Sequence, residues 1–182
     1  MPKPHFQALI DLSGGLRLVT LLALVLCQAS FAAGSPEAPA RDIELLWRQG
    51  DGALAQQKLL AALAQAPNDA SLQFLQAVMW AESGKTAEAQ VALVRMTESF
   101  PELPEPYNNL AALHAAAGRL DEARALLETA LRLDPSYKTA HENLGDVYVR
   151  LAARAYESAT GPRTEPALQA KLRLARALIT TR

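Results

Sequence analysis

Several kinds of residue are scarce in this 182-residue chain, and each shortage removes a class of function. There is one cysteine, Cys27, so no intramolecular disulfide and no cysteine-cluster zinc site can form. There are only nine glycines, and none is arranged as a phosphate-cradling loop. The three histidines, His5, His114 and His141, are far apart and lack metal-binding spacing. Aromatics make up 5% of the chain. Charge of either sign is not in excess: Lys+Arg 18 against Asp+Glu 19 leaves a net charge of -1, which disfavours a nucleic-acid binder driven by phosphate neutralisation. No catalytic triad, carboxylate pair with a partner nucleophile or metal set can be assembled, so the chain reads as no enzyme, with no catalytic residue, metal or cofactor. At 50% hydrophobic and 20% charged it is equally unlike a disordered chain.

The N-terminus reads as an address. Lys3, His5 and Arg17 precede an apolar run from Leu18 to Cys27, followed by Ala29, Ser30, Ala32, Ala33 and Gly34. A basic start, a short apolar centre and a small-residue exit predict a secretory signal peptide over 1–33, cleaved after Ala32. The ten residues of this run, interrupted only by Thr20, would span about 15 Å as a helix, short of a hydrocarbon core of about 30 Å. A retained membrane anchor is the alternative. Residues 34–40, GSPEAPA, read as a linker. Arginine outnumbers lysine and alanine is abundant, which hints at a GC-rich bacterium and so at export to the periplasm, with inner-membrane tethering as the variant.

The rest of the chain repeats itself every 34 residues. Pro67, Pro101 and Pro135 form one series, and Gly50, Gly84 and Gly118 another. Ala55, Ala89 and Ala123 follow the same step, as do Leu59, Leu93 and Leu127. Ile43, Ala77, Ala111 and Gly145 make a four-member series, and so do Leu46, Trp80, His114 and Tyr148. Such a period indicates stacked supersecondary units that cannot bury their apolar faces alone. Within 104–137, Asn108–Ala117 carries good helix formers and Gly118 ends it. Leu120, Ala123, Leu126, Leu127, Ala130 and Leu131 then recur at helical spacing, with Asp121 and Glu122 in the first turn and Arg132 in the last. Asp134-Pro135 stops the second helix. The unit is helix, tight turn, helix, and no strand is predicted.

These positions resemble the tetratricopeptide repeat family, whose signature places W-L-G-Y, then A-F, then A and P over 34 residues. Tyr107, Leu110, Ala111, His114, Ala123, Leu127, Ala130 and Pro135 carry the likeness in 104–137. Ala77, Trp80, Ala89, Leu93, Met96 and Pro101 carry it in 70–103, which departs at Gln73 and Gln76. Repeat 36–69 is weakest in its first helix, and a degenerate fourth unit over 138–159 begins with His141, Leu144, Gly145 and Tyr148. The resemblance implies an all-α, right-handed α-solenoid over 41–159. Small residues such as Ala111 and Gly145 would admit close helix approach, and Tyr107, Leu110, Leu127 and Tyr148 would fill the space between units. His114, His141, Trp47 and Trp80 are expected as packing residues, and Asn109 and Asn143 as structural.

In the fourth unit the five residues corresponding to Gly118–Glu122 are missing, so one continuous helix is expected from about Thr139 to Ala159, ended by Gly161-Pro162. Residues 160–182 are expected to form a capping helix, with Thr164 as N-cap, an apolar stripe of Leu168, Leu172, Ala175 and Ile179, and a basic face of Lys171, Arg173, Arg176 and Arg182; the alternative is a basic amphipathic helix that contacts a membrane surface or an acidic partner.

Family resemblance also implies a concave groove lined by first-helix residues. Carried over by position, the candidate partner-binding residues are Phe74, Val78, Asn108, Ala112, Glu142 and Asp146. The lysine and asparagine clamp that some members use for a C-terminal carboxylate is absent at these positions. The groove is expected to be apolar at one end and acidic at the other. The function expected is a non-catalytic scaffold that binds another protein or peptide, with no nucleic acid and no small-molecule substrate. Membrane contact through the N-terminal segment and self-association are the further possibilities the sequence leaves open.

Overall fold

The computed structural model describes residues 38–180. The expected signal segment and the start of the linker lie outside them. Among the described residues are eight α-helices and no strand. They are α1 (Ala38–Arg48), α2 (Gly52–Gln65), α3 (Ala70–Glu82), α4 (Thr86–Ser99), α5 (Pro104–Ala116), α6 (Leu120–Leu133), α7 (Lys138–Ser158) and α8 (Pro166–Thr180). Helix α1 begins inside the stretch read as linker, because Pro39 falls in its first turn, where a missing N–H leaves no bond unmade. None of the described helices is long and apolar enough to cross a membrane.

Consecutive helices pack as hairpins, α1 on α2, α3 on α4 and α5 on α6, and each hairpin stacks on the next. The turns carry Gly50, Gly84 and Gly118 at φ 91°, 77° and 78°. That left-handed conformation is open to glycine and strained for other residues, which fixes the period in the backbone. The core follows the same step. Ala55, Ala89 and Ala123 are fully buried, and Leu59, Leu93 and Leu127 nearly so. Alanine lets the backbones come close, and each buried leucine contributes roughly 2–3 kcal/mol of burial.

Helix α7 has 21 residues where the other first helices have 11 to 13. It runs unbroken through the place of the missing turn, as its sequence requires. Arg154 beyond that point pairs with Asp121 at the start of α6 at 2.7 Å. The hydrogen bond from Arg154 holds the Asp121 carboxyl below the usual carboxylate range.

Three expectations fail here. Gly145 is exposed, and a Cβ built on it would meet nothing within 4 Å. Tyr148 is 48% exposed instead of filling a gap between units. Both faced a second helix that the fused fourth unit does not supply. Thr164 is not a helix cap: its hydroxyl bonds the N–H and C=O of Gly161 and closes the preceding turn, while Leu168 and Gln169 donate to the carbonyl of Glu165.

Candidate functional site

The first helices of the units line one face of the solenoid. Its N-terminal half holds a cleft of about 470 Å³ between α1, α3 and α5, lined by Phe74, Leu75, Val78, Leu103 and Pro106. Arg41, Glu44 and Glu105 stand at the same cleft. Glu44 also pairs with Arg48 at 2.6 Å. Phe74 and Val78, the expected groove residues of the second unit, therefore meet in one apolar pocket with charged neighbours.

A second cleft on the same face, about 360 Å³, lies between α5 and α7. It brings Ala112 and Asp146 together with Asn143, Val149 and Arg150. Here the expectation of an acidic end is corrected. Arg150 follows Asp146 by one helical turn, and the two opposite charges share the cleft. Leu178 and Ile179 of α8 line it too, a contribution the sequence did not reveal. Nothing local in α8 states which way it folds back.

Asn108 does not line the open groove. It is 3% exposed, and its amide is committed. Asn143 Nδ2 donates to Asn108 Oδ1 at 2.9 Å, and Asn108 Nδ2 donates to Asn109 Oδ1 at 3.2 Å. This chain of amides ties α5 to α7 under the groove floor. Asn109 and Asn143 have the structural parts expected of them. Glu142 lies exposed on α7, outside both clefts.

Of the two histidines expected to pack, His114 is half-buried and His141 is exposed. His141 Nε2 donates to the carbonyl of Pro135 at 3.0 Å. His114 Nδ1 accepts from Arg119 Nε at 3.3 Å, which fits a neutral ring. Burial, and then the charge of Arg119, push the His114 imidazole below its ordinary value, while Glu122 pulls the other way. No cluster of three or more potential metal ligands occurs among the described residues.

A larger cleft, about 700 Å³, opens on the face of the second helices between α2, α3 and α4. Leu63, Pro67, Gln73, Gln76, Trp80, Val91 and Arg95 are in its lining. Its origin is the departure already noted in the repeat. Tyr107 and Leu110 occupy these positions in the next unit, where the Tyr107 hydroxyl reaches the carbonyls of Thr97 and Pro101. Gln73 and Gln76 leave that volume open.

Comparison with known proteins agrees with the repeat geometry. A tetratricopeptide repeat family model matches residues 43–104, and a TPR repeat model matches 114–151. The chain belongs to the tetratricopeptide repeat family. A TPR repeat-containing thioredoxin of Arabidopsis thaliana is 44% identical over 68 residues, 37% of this chain. The chain spans only 10% of that relative's length. A thermophilic TPR protein of Thermus thermophilus has a TM-score of 0.59 at 20% identity, covering 80% of this chain and 84% of its own. The first TPR of Spaghetti, solved bound to an HSP90 peptide, has a TM-score of 0.56 at 20% identity, covering 64% of this chain and 93% of its own. Pseudomonas aeruginosa pilF has a TM-score of 0.58 at 20% identity, over 79% of this chain and 68% of its own. These likenesses establish the α-solenoid.

Proposed function

We propose that this tetratricopeptide repeat protein is a non-catalytic scaffold that holds a segment of another protein in the groove of its first helices. The observation that carries the reading is the apolar pocket at Phe74 and Val78, open on a face built from α1, α3 and α5. An apolar side chain of an extended or helical peptide would seat there, and buried apolar area would supply most of the affinity. Two similar structures hold peptides, one of HSP90 and one of HSP70, which supports the class of ligand. The chemistry of the site differs from a carboxylate clamp. Phe74 and Val78 provide no cation, so the ligand is held by an internal apolar anchor. At the second cleft Asp146 and Arg150 would accept a polar stretch of either sign.

We place the protein outside the cytoplasm of a bacterium, in the periplasm, on the basic start and apolar run of residues 1–33. The mass of the mature protein tests that placement, since cleavage after Ala32 removes the segment and its only cysteine.

Binding is tested by affinity capture from an envelope fraction, comparing the parent with Phe74→Ala/Asp146→Lys. The captured protein is then titrated directly against both forms. A ligand held by the parent and weakened tenfold or more in the variant supports the groove. Equal binding by the two would move the interface elsewhere and overturn the reading.

A further inference from the structure

In the first three units the second helix covers one face of the first. Ile43, Ala77 and Ala111, equivalent positions on that face, are 3%, 0% and 0% exposed. Gly145 is the fourth member of the series and stands open, with no atom within 4 Å of a built Cβ. Helix α8 does not take the vacant place. Its Leu178 and Ile179 lie on the groove side, against a cleft shared with Asn143, Asp146, Val149 and Arg150. Helix α7 thus keeps a face on which Gly145 and Tyr148, with Ala159 just past its end, are exposed and Ala152 and Tyr156 are half-buried, where the fold elsewhere packs a helix; the Tyr148 hydroxyl donates to Glu128 of α6 at 3.4 Å.

We propose that a second copy of this chain fills the vacancy, α7 against α7, antiparallel about a two-fold axis at Ala152. The face is self-complementary. Tyr148 and Tyr156 stand four residues on either side of Ala152, and Gly145 and Ala159 seven on either side. At 1.5 Å per residue, antiparallel pairing sets each Tyr148 against the other copy's Tyr156, about 6 Å from the axis along the helix. Gly145 then meets Ala159, and Ala152 meets itself. Small residues at the axis and at both ends let the helices approach to about 8–10 Å, and the tyrosines fill the space between.

Charge agrees with the same register. Glu142 lies ten residues before Ala152 on α7, and Arg163 lies in the turn that follows the end of α7 at Ser158. Both are exposed, and neither is in an ion pair among the described residues. Antiparallel pairing sets the start of α7 that carries Glu142 in one copy beside the turn that carries Arg163 in the other, twice per dimer. The contact is isologous and closes on itself, so assembly stops at two. It leaves the clefts at Phe74 and Asp146 on another face, so each dimer presents two grooves.

The test uses the full chain with Cys27 replaced by alanine, so that an introduced cysteine is the only thiol. Ala152→Cys should link into a covalent dimer under mild oxidation, because the two-fold axis sets the sulfurs side by side. Lys58→Cys, exposed on α2, should not. Sedimentation of the unmodified chain should show twice the chain mass, and Tyr148→Arg/Tyr156→Arg should return it to one, with helix content unchanged by circular dichroism. A monomer at high micromolar concentration would overturn the proposal. So would equal linking through Lys58→Cys, or a dimer that persists in the double arginine variant.

Discussion

Gln73 and Tyr107 occupy the same place in consecutive units and bond to the same backbone group, yet only one fills its site. Gln73 Nε2 donates to the carbonyl of Pro67 at 2.8 Å, and the Tyr107 hydroxyl to that of Pro101 at 3.3 Å. His141 repeats the contact once more at Pro135. The repeat therefore conserves a link from each first helix to the proline turn before it, made by three different side chains. What it does not conserve is volume, and the 700 Å³ cleft lies where the glutamine falls short.

Filling that cleft should stabilise the fold. Gln73→Tyr with Gln76→Leu restores the residues of the next unit, and the added apolar burial is worth roughly 1–3 kcal/mol with the new ring and leucine in unstrained rotamers. Thermal unfolding checks it. An unchanged or lower midpoint would mean that α2 and α4 are spaced differently from α4 and α6.

Glycine at Gly145 and Gly118 should respond in opposite directions. Gly145 is helical and open, so Gly145→Ala should add about 0.5–1 kcal/mol through the unfolded state and helix propensity. Gly118 has φ 78°, so Gly118→Ala should destabilise by about 1 kcal/mol or more. Urea unfolding of the two variants beside the parent gives both signs at once.

The Asn143–Asn108 link should be stiff in energy terms. Asn143→Ala leaves the buried carbonyl of Asn108 without its donor, a loss of about 1–3 kcal/mol. Asn109→Ala removes the longer bond, in which Asn109 Oδ1 accepts from Nδ2 of the same buried Asn108 amide at 3.2 Å, and should lose less. Denaturant midpoints of the two variants rank the pair.

Stability should fall on mild acidification through His114. Its folded-state pKa lies below the ordinary 6.5, so the unfolded chain takes up the proton first. Above that pH neither state is protonated and the residue has no effect on the balance. As pH drops below 6.5 the unfolded state gains protons, and stability declines until the folded ring is protonated as well. His114→Phe should flatten melting temperature between pH 7.5 and 5. The Asp121 and Asp134 carboxyls act in a separate, more acidic window: their folded values are lowered, by Arg154 and Ser136 respectively, so their contribution vanishes only as pH falls through the carboxylate range.

The 34-residue step was enough to specify the all-α class, the hairpins, the positive-φ glycines and the buried alanine and leucine series. Each of those depends on residues close in sequence or on a period that repeats the same neighbours. The continuous α7 was legible for the same reason, since the residues of the turn are missing from the fourth unit and no glycine or proline lies between Asp146 and Thr160. Residues whose surroundings come from outside the repeat were not legible. Position alone put Asn108 in the groove, but Asn143 of the next unit draws its amide under the floor. Position put Gly145 and Tyr148 in a core, but burial needs a covering helix, and the fused unit supplies none. The balanced charge at Asp146 and the entry of Leu178 and Ile179 into the second cleft depend on where α8 lands against α7. A periodic sequence determines its own interior because each unit carries its neighbour's contacts; at the end of the array there is no neighbour, and only the tertiary structure decides which faces stay open.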